Sequence, residues 1–377
     1  MPSDRKPKRK TYFIVAGEAS GDLHGARLIA AMKKRSPNIH FVGHGGDKML
    51  KEGLEILYHT DQLGIMGFSE IIKHIPFFIK ALSVTMENIA LIKPERIILI
   101  DYPGFNLRLA KKCKHLSIPV SYFILPQLWA WKENRIKVFH KAIDQSLCIF
   151  PFEQSWFEKR GVFANYVGHP FTEISSPRLS KPEFYQKHGI REKKKILTLI
   201  PGSRQQEIDK MWTIYYNAAI KIQESYDIEI VVAKSSGITL PKTDGFRIEK
   251  KDIYGAMVHA TAAITTSGTA SLECAVLDTP QVVCYKLSKV SGLIAKHMNR
   301  APFISMPNLI AEKQVVREFV QNDVNVTNIT KAVLPLLSDS VERKKMLQDF
   351  EQIRRSLGLP GVYERAAKSI INKSNNG

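Results

Sequence analysis

Residues Lys195 to Ile200 form a short apolar β-run, broken by Pro201-Gly202-Ser203-Arg204-Gln205-Gln206-Glu207. A helical pattern follows, with Ile208, Met211, Trp212, Tyr215, Ala219 and Ile222 on one face. Strand, glycine loop, helix is the arrangement that aims free backbone N–H groups and the positive helix end at an anion. Gly202 permits close backbone approach, Ser203 offers a hydroxyl, and Arg204 adds a permanent charge with fork geometry suited to phosphate. The stretch reads equally as a βα turn in which Ser203 caps the helix. It is not a Walker loop, since GxxxxGK[ST] is absent.

The same alternation runs through the first half. Apolar β-runs at Thr11–Ala16, His40–Val42, Arg96–Ile100, Pro119–Ile124 and 145–150 are separated by helical patterns. Those patterns include residues up to Arg35, 69–92, 105–116, 133–141 and 153–160. Strands spaced this way imply an α/β chain with parallel, doubly wound sheets. Ligands in such sheets sit beyond the carboxyl ends of the strands, so chemistry belongs in the loops that follow each run. A polar stretch with Pro170, Pro177 and Pro182 marks a boundary between an N-terminal domain, 11–170, and a second, 190–340.

Three loops stand out. Gly17-Glu18-Ala19-Ser20-Gly21-Asp22 is not GxGxxG. It offers acceptors for sugar hydroxyls, or caps its helix through Ser20 or Asp22. Asp101 follows Ile97-Ile98-Leu99-Ile100 at a strand end, where a carboxylate either takes a proton from a hydroxyl or caps the next helix. Thr266 to Glu273 repeats strand, glycine loop, helix, with Ser267, Gly268 and Thr269 at the turn. Its Glu273, one turn into the helix, suits a ribose diol. Two such loops in one domain read as a nucleotide-diphosphate site. Trp129 and Trp131 line an acceptor channel or pack between layers.

The 377 residues carry a net charge of +19, which calls for an anionic partner. No nucleic-acid-binding signature is present, which leaves phosphorylated substrate or an anionic bilayer surface. Phe68, Ile71, Ile72, Ile75, Phe78 and Ile79 are interleaved with Lys73, His74 and Lys80, and Pro76 interrupts the pattern. Apolar surface edged by cations suits the headgroup boundary, as it also suits ordinary core packing. Cys113, Cys148, Cys274 and Cys284 are scattered, without metal-ligand spacing, and read as buried thiols in a reducing compartment. No metal and no cofactor is expected. A basic tail without a signal-peptide core implies a cytoplasmic protein.

Ten ordered motifs go further: GEASGD (17–22), GHGGDKM (43–49), MGFSE (66–70), IDYPGFN (100–106), PQLWAW (126–131), PFE (151–153), VGHP (167–170), PGSRQQEI (201–208), SGTASLE (267–273) and PNLIA (307–311). In these the chain resembles the lipid A disaccharide synthases, glycosyltransferases that act without metal. The resemblance implies two Rossmann-like domains facing across a cleft (the GT-B type), with C-terminal helices, 341–372, returning to the first. It implies UDP-2,3-diacylglucosamine as donor and 2,3-diacylglucosamine 1-phosphate as acceptor, joined with inversion into a β-1,6-linked disaccharide. Arg204 with Gly202 and Ser203 would hold the diphosphate and Glu273 the ribose, with Glu207, Ser267, Gly268 and Thr269 also in the UDP-binding site. Asp101 would be the base, and Glu18, Ser20, Asn308 and Gln321 would line the cleft. Gly104 departs from the pattern, standing where some members carry a second Asp. The expected partners are the two acylated sugars and the cytosolic face of the inner membrane, not nucleic acid; a homodimer is compatible with this reading. The alternatives are another UDP-sugar glycosyltransferase, a UDP-N-acetylglucosamine 2-epimerase on the same fold, or a non-catalytic binder.

Overall fold

The structure, a computed structural model, describes residues 10–63, 71–130, 132–174, 177–286 and 302–375. They form two compact units, one reaching to Pro170 and resuming at Leu359, the other spanning Phe171–Gly358.

The first unit runs β1 (Thr11–Ala16), α1 (Ala19–Arg35), β2 (His40–Gly45), α2 (Asp47–Lys51), β3 (Leu54–His59), α3 (Thr60–Leu63), α4 (Ile71–Ile92) and β4 (Arg96–Ile100). It continues with α5 (Pro103–Cys113), β5 (Val120–Phe123), α6 (Ile136–Ala142), β6 (Gln145–Cys148), α7 (Pro151–Glu158) and β7 (Ala164–Tyr166). Its seven strands are all parallel, in the order β3-β2-β1-β4-β5-β6-β7. Strands β1, β4 and β5 are almost wholly buried and read as continuous apolar runs, as strands covered on both faces must. Runs β3 and β7 escaped the sequence reading. The first is a half-exposed edge strand and the second only three residues long, so neither has an apolar run to announce it.

The second unit runs α8 (Lys181–His188), β8 (Lys195–Ile200), α9 (Gln205–Ser225), β9 (Ile228–Ala233), β10 (Arg247–Glu249), α10 (Ile253–Val258) and β11 (Ala262–Thr266). Then come α11 (Thr269–Val276), β12 (Gln281–Tyr285), α12 (Met306–Ala311), β13 (Arg317–Val320), α13 (Val326–Val333) and α14 (Val341–Ser356). Its six parallel strands follow the order β10-β9-β8-β11-β12-β13. The apolar face expected on α9 is the buried one: Ile208, Met211, Trp212, Tyr215, Ala219 and Ile222 are at most 1% exposed.

The two C-terminal helices part company. Helix α14 packs on α11 and α12 within the second unit, so the expectation that 341–372 returns as a block is corrected. Helix α15 (Val362–Asn375) packs on α1 of the first unit. The reason is polar as well as apolar. Arg96, 2% exposed at the start of β4, donates to Ser374 Oγ at 3.0 Å and to Ser121 Oγ at 3.2 Å. Gln145 donates to both the carbonyl and the hydroxyl of Ser369, and Arg365 to the Val167 carbonyl at 2.8 Å. Buried as it is, the Arg96 guanidinium needs hydrogen-bond partners, and α15 supplies one of them through Ser374.

Asp22 also has a structural task. It does not cap its own helix; the N-cap is Glu18, with no side-chain bond. Its buried carboxylate instead accepts from the backbone N–H groups of Gly46, Lys48 and Met49 at 2.8, 3.1 and 3.0 Å, stapling the turn after β2 to α1. Asp22→Ala is expected to cost about 3 kcal/mol of stability in urea unfolding, from three stranded donors. Unchanged stability with lost turnover would instead return Asp22 to the site.

Candidate functional site

In each sheet the strand order reverses once, between β1 and β4 in the first and between β8 and β11 in the second. Successive crossovers leave on opposite sides at that point, so the two loops that follow part and open a crevice. The register makes Ala16 the partner of Ile100, which places Gly17-Glu18 beside Asp101. Ile200 is the partner of Thr265, which places the Gly202 loop beside the Gly268 loop. Four of the loops singled out by sequence are thus the four at the switch points.

The chain leaves β4 through two successive residues in left-handed backbone, Asp101 (φ 43°) and Tyr102 (φ 47°). Such conformations cost about 1–3 kcal/mol each and persist only where the surroundings impose them. Here the Asp101 carbonyl accepts from Asn106 Nδ2 at 2.7 Å and from the Tyr122 hydroxyl at 2.5 Å. The Tyr102 hydroxyl donates to the Leu63 carbonyl at 3.1 Å. Gly17 makes room for the turn, since a Cβ there would lie 2.2 Å from the Tyr102 ring. The Asp101 carboxyl is left half-buried. Burial, then the negative charge of exposed Glu18, pushes it up to about 6, against a smaller pull from the Tyr102 N–H. A carboxylate held there is a competent base near neutral pH. Ser20, like Glu18, is exposed at the same loop. Of the residues that set the turn, Asn106 entered the sequence reading only as the end of IDYPGFN and Tyr122 not at all, because their partners are backbone atoms.

A second carboxyl, which the sequence reading did not single out, stands nearby. Glu153 is fully buried and accepts from Trp129 Nε1 at 3.1 Å and from the N–H groups of Phe150 and Ile149 at 3.2 and 3.3 Å. Burial outweighs these donors and raises it to about 8. Its role is to fasten the Trp129 segment to the start of α7. Trp129 is half-buried, edge-on to Phe152 at 5.0 Å, which is packing. Trp131 lies outside the described residues.

In the second unit Arg204 is the N-cap of α9 and Ser203 is not. The Arg204 side chain is 78% exposed, 3.6 Å from the Glu207 carboxylate. Glu207 folds back over Gly202 (φ 103°), where a Cβ would meet it at 2.4 Å. It accepts from the N–H groups of Ser203 and Arg204, yet burial raises its pKa. The first N–H groups of α9, at Gln205 and Gln206, precede the first intrahelical bonds and have no partner within the helix. Across the switch point Ser267 donates to the Ile304 carbonyl at 2.7 Å, so its hydroxyl is committed, while Gly268 and Thr269 are exposed at the start of α11. Glu273 accepts from the Tyr254 hydroxyl at 3.1 Å and is raised by burial.

Asn308 has a structural task. It is 0% exposed and all its polar capacity is used internally, donating to Val316 O and Glu318 Oε1 and accepting from the N–H groups of Val315 and Val316. It shapes the turn between α12 and β13. Gln321 stands just past β13 in left-handed backbone (φ 54°), half-buried.

The apolar patch is divided. Ile75 and Ile79 are exposed, at 46% and 61%. Phe78 turns inward instead, edge-on to Phe105 at 5.3 Å. Phe68 lies outside the described residues, as do the side chains of Ile71 and Ile72. Helix α4 continues through Pro76, whose missing donor falls near the helix start and forfeits a single bond. By length and composition Ile75–Ile92 could cross a membrane, and 22% of it is buried. Its inner face, Ala81, Leu82, Thr85 and Ile89, belongs to the first unit's core. All four cysteines are free and buried, and no cluster able to hold a metal occurs among the described residues.

Asp101 also makes a stability prediction. A raised carboxyl binds its proton more tightly in the native than in the unfolded chain, so native stability falls as pH rises from about 4 to about 6. Asp101→Asn is expected to raise the urea midpoint at pH 8, with the gain gone at pH 4. A loss of midpoint at pH 8 would show that the ionised carboxylate stabilises the fold.

Comparison with known proteins agrees with this arrangement. The chain matches the family described as lipid-A-disaccharide synthetase over residues 12–370. It is 35% identical to the lipid-A-disaccharide synthase of Syntrophus aciditrophicus, covering 97% of this chain and 99% of that one. Among solved structures it is similar in fold to a putative UDP-N-acetylglucosamine 2-epimerase from Listeria monocytogenes, with TM-score 0.65, 16% identity and coverage of 98% and 97%. It is similar also to the calicheamicin glycosyltransferase CalG4, with TM-score 0.61, 14% identity and coverage of 97% and 98%. Two doubly wound sheets of the GT-B kind, together with a family match across nearly the whole length, establish that this chain belongs to the lipid-A-disaccharide synthase family of glycosyltransferases.

Proposed function

We propose that the chain transfers 2,3-diacylglucosamine from UDP to the 6-hydroxyl of 2,3-diacylglucosamine 1-phosphate, with inversion, releasing UDP and a β-1,6-linked disaccharide 1-phosphate. The observation that carries this reading is Asp101, a half-buried carboxyl raised to about 6 at the switch point of the first sheet. It takes the proton of the 6-hydroxyl as that oxygen bonds to the donor's anomeric carbon. The bond from that carbon to the diphosphate breaks, and its electron pair leaves with UDP. The negative charge that develops is met by Arg204 and by the N-terminal N–H groups of α9 and α11. Glu273 holds the ribose. The exposed Ile75 and Ile79 on α4, with the net charge of +19, support peripheral attachment to an anionic membrane from the cytosolic side, where acylated substrates reside.

An epimerase on the same fold would consume the nucleotide sugar alone. UDP release from UDP-2,3-diacylglucosamine that depends on the acylated sugar 1-phosphate is expected; release without it would sink the transferase reading. Since the base must be ionised, kcat/KM should rise with pH through about 6 to a plateau. Asp101→Asn should lower kcat about 100-fold with UDP affinity kept; near-normal turnover would remove Asp101 from the role. Arg204→Ala should weaken UDP binding by about 2 kcal/mol in calorimetry, the scale of a lost charged hydrogen bond. Unchanged affinity would exclude Arg204 from the site.

A further inference from the structure

Three cations on the first unit have no part in the chemistry above. Arg108 lies on α5, two turns beyond Asp101; its guanidinium covers the Phe78 ring at 5.3 Å and donates to the Gly104 carbonyl. Arg135 stands at the entry to α6, and Lys132 precedes it in left-handed backbone (φ 58°). Helices α5 and α6 pack on one another and bring the three together. Burial, then Arg108, lowers the proton affinity of Arg135; burial, then Arg135 and Arg108, lowers that of Lys132. The nearby Glu133 is engaged by Arg160 at 2.7 Å. Among the described residues no carboxylate lies within ion-pair distance of Arg108 or Arg135. Arg108 and Arg135 therefore repel one another with no such carboxylate to offset them.

Its position is informative. The buried ring of Tyr122 packs on Phe139 of α6 at 5.6 Å, and its hydroxyl reaches the Asp101 carbonyl. That hydroxyl feels both Asp101 and Arg135. One tyrosine thus separates the cations from the base, while Phe78 joins Arg108 to α4, which exposes Ile75 and Ile79. A ligand reaching Asp101 from this side would meet two guanidinium groups that feel one another's charge, and an apolar helix face beside them. Guanidinium forks select phosphate, whose monoester carries close to two charges and three acceptor oxygens.

We propose that Arg108 and Arg135, with Lys132 adding charge, hold the phosphate monoester of the acceptor sugar and so present its hydroxyl to Asp101. This rests on the acceptor named under Proposed function. The rival source of the same chemistry is an anionic lipid headgroup, and two readings separate them. Kinetics in neutral detergent micelles would compare 2,3-diacylglucosamine 1-phosphate with the same sugar lacking phosphate. Arg108→Gln and Arg135→Gln should each raise KM for the phosphorylated acceptor about 10- to 100-fold. KM for the UDP-sugar and the rate with the unphosphorylated acceptor should stay within about twofold. Equal losses with both acceptors, or lost binding to anionic vesicles with unchanged micelle kinetics, would overturn the proposal. Equilibrium binding of the sugar 1-phosphate, with UDP affinity as the folding control, reads the site without turnover. Binding weakened about tenfold or more in the variants would uphold the phosphate site even if no disaccharide forms, and unchanged binding would refute it.

Discussion

Everything functional in this molecule depends on where the winding of each sheet reverses. A parallel strand needs a crossover on one face, and reversing the direction of winding sends neighbouring crossovers to opposite faces. The loops at that junction cannot cover one another, so their backbone groups stay available. In the first unit this leaves the loop of Glu18 beside Asp101; in the second it leaves the loop of Arg204 beside that of Gly268. Residues at other strand ends, such as Asn308 and Glu318 around β13, are free to satisfy one another and become structural.

The two switch points share burial and differ in the charge of their neighbours. Around Asp101 the surroundings oppose ionisation: burial and Glu18 raise the carboxyl into the range where it can both hold and release a proton. The strained turn that aims it is held through its own carbonyl by Asn106 and Tyr122, so neither of those side chains occupies the carboxylate. Around Gly202 burial raises the Glu207 carboxyl as well, but Arg204, exposed beside it, and the loop's N–H groups pull the other way. An incoming diphosphate would share or displace that carboxylate, which ties Glu207 to the binding equilibrium through charge as well as position.

The C-terminal helix α15 belongs with the first sheet because buried polar groups there call for it. Arg96 at the foot of β4 and Gln145 at the foot of β6 both end in bonds to serines of α15. A guanidinium at 2% exposure is a liability unless partnered, and the helix removes it. Helix α4 shows the converse. Its inner face is fixed by Ala81, Leu82, Thr85 and Ile89, while Ile75 and Ile79 on the outward side stay exposed among the described residues.

Much of this was legible in the chain itself. Alternating apolar runs and helical periods determined the doubly wound class, because strands covered on both faces must be continuously apolar and their helices amphipathic. Glycine loops after β8 and β11, and the lone Asp101 after β4, marked the switch points, since each breaks an apolar run with residues no core would accept. Edge strands β3 and β7 were silent, being short or half-solvated. Only the tertiary structure decided that Asp22 is a staple, that Asn308 is saturated, that Phe78 turns inward, and that α14 and α15 separate. It alone brought Arg108 to Arg135 across two helices, and Glu153 to Trp129. In every one of these the partner is distant in sequence or is a backbone atom, and a linear pattern records neither.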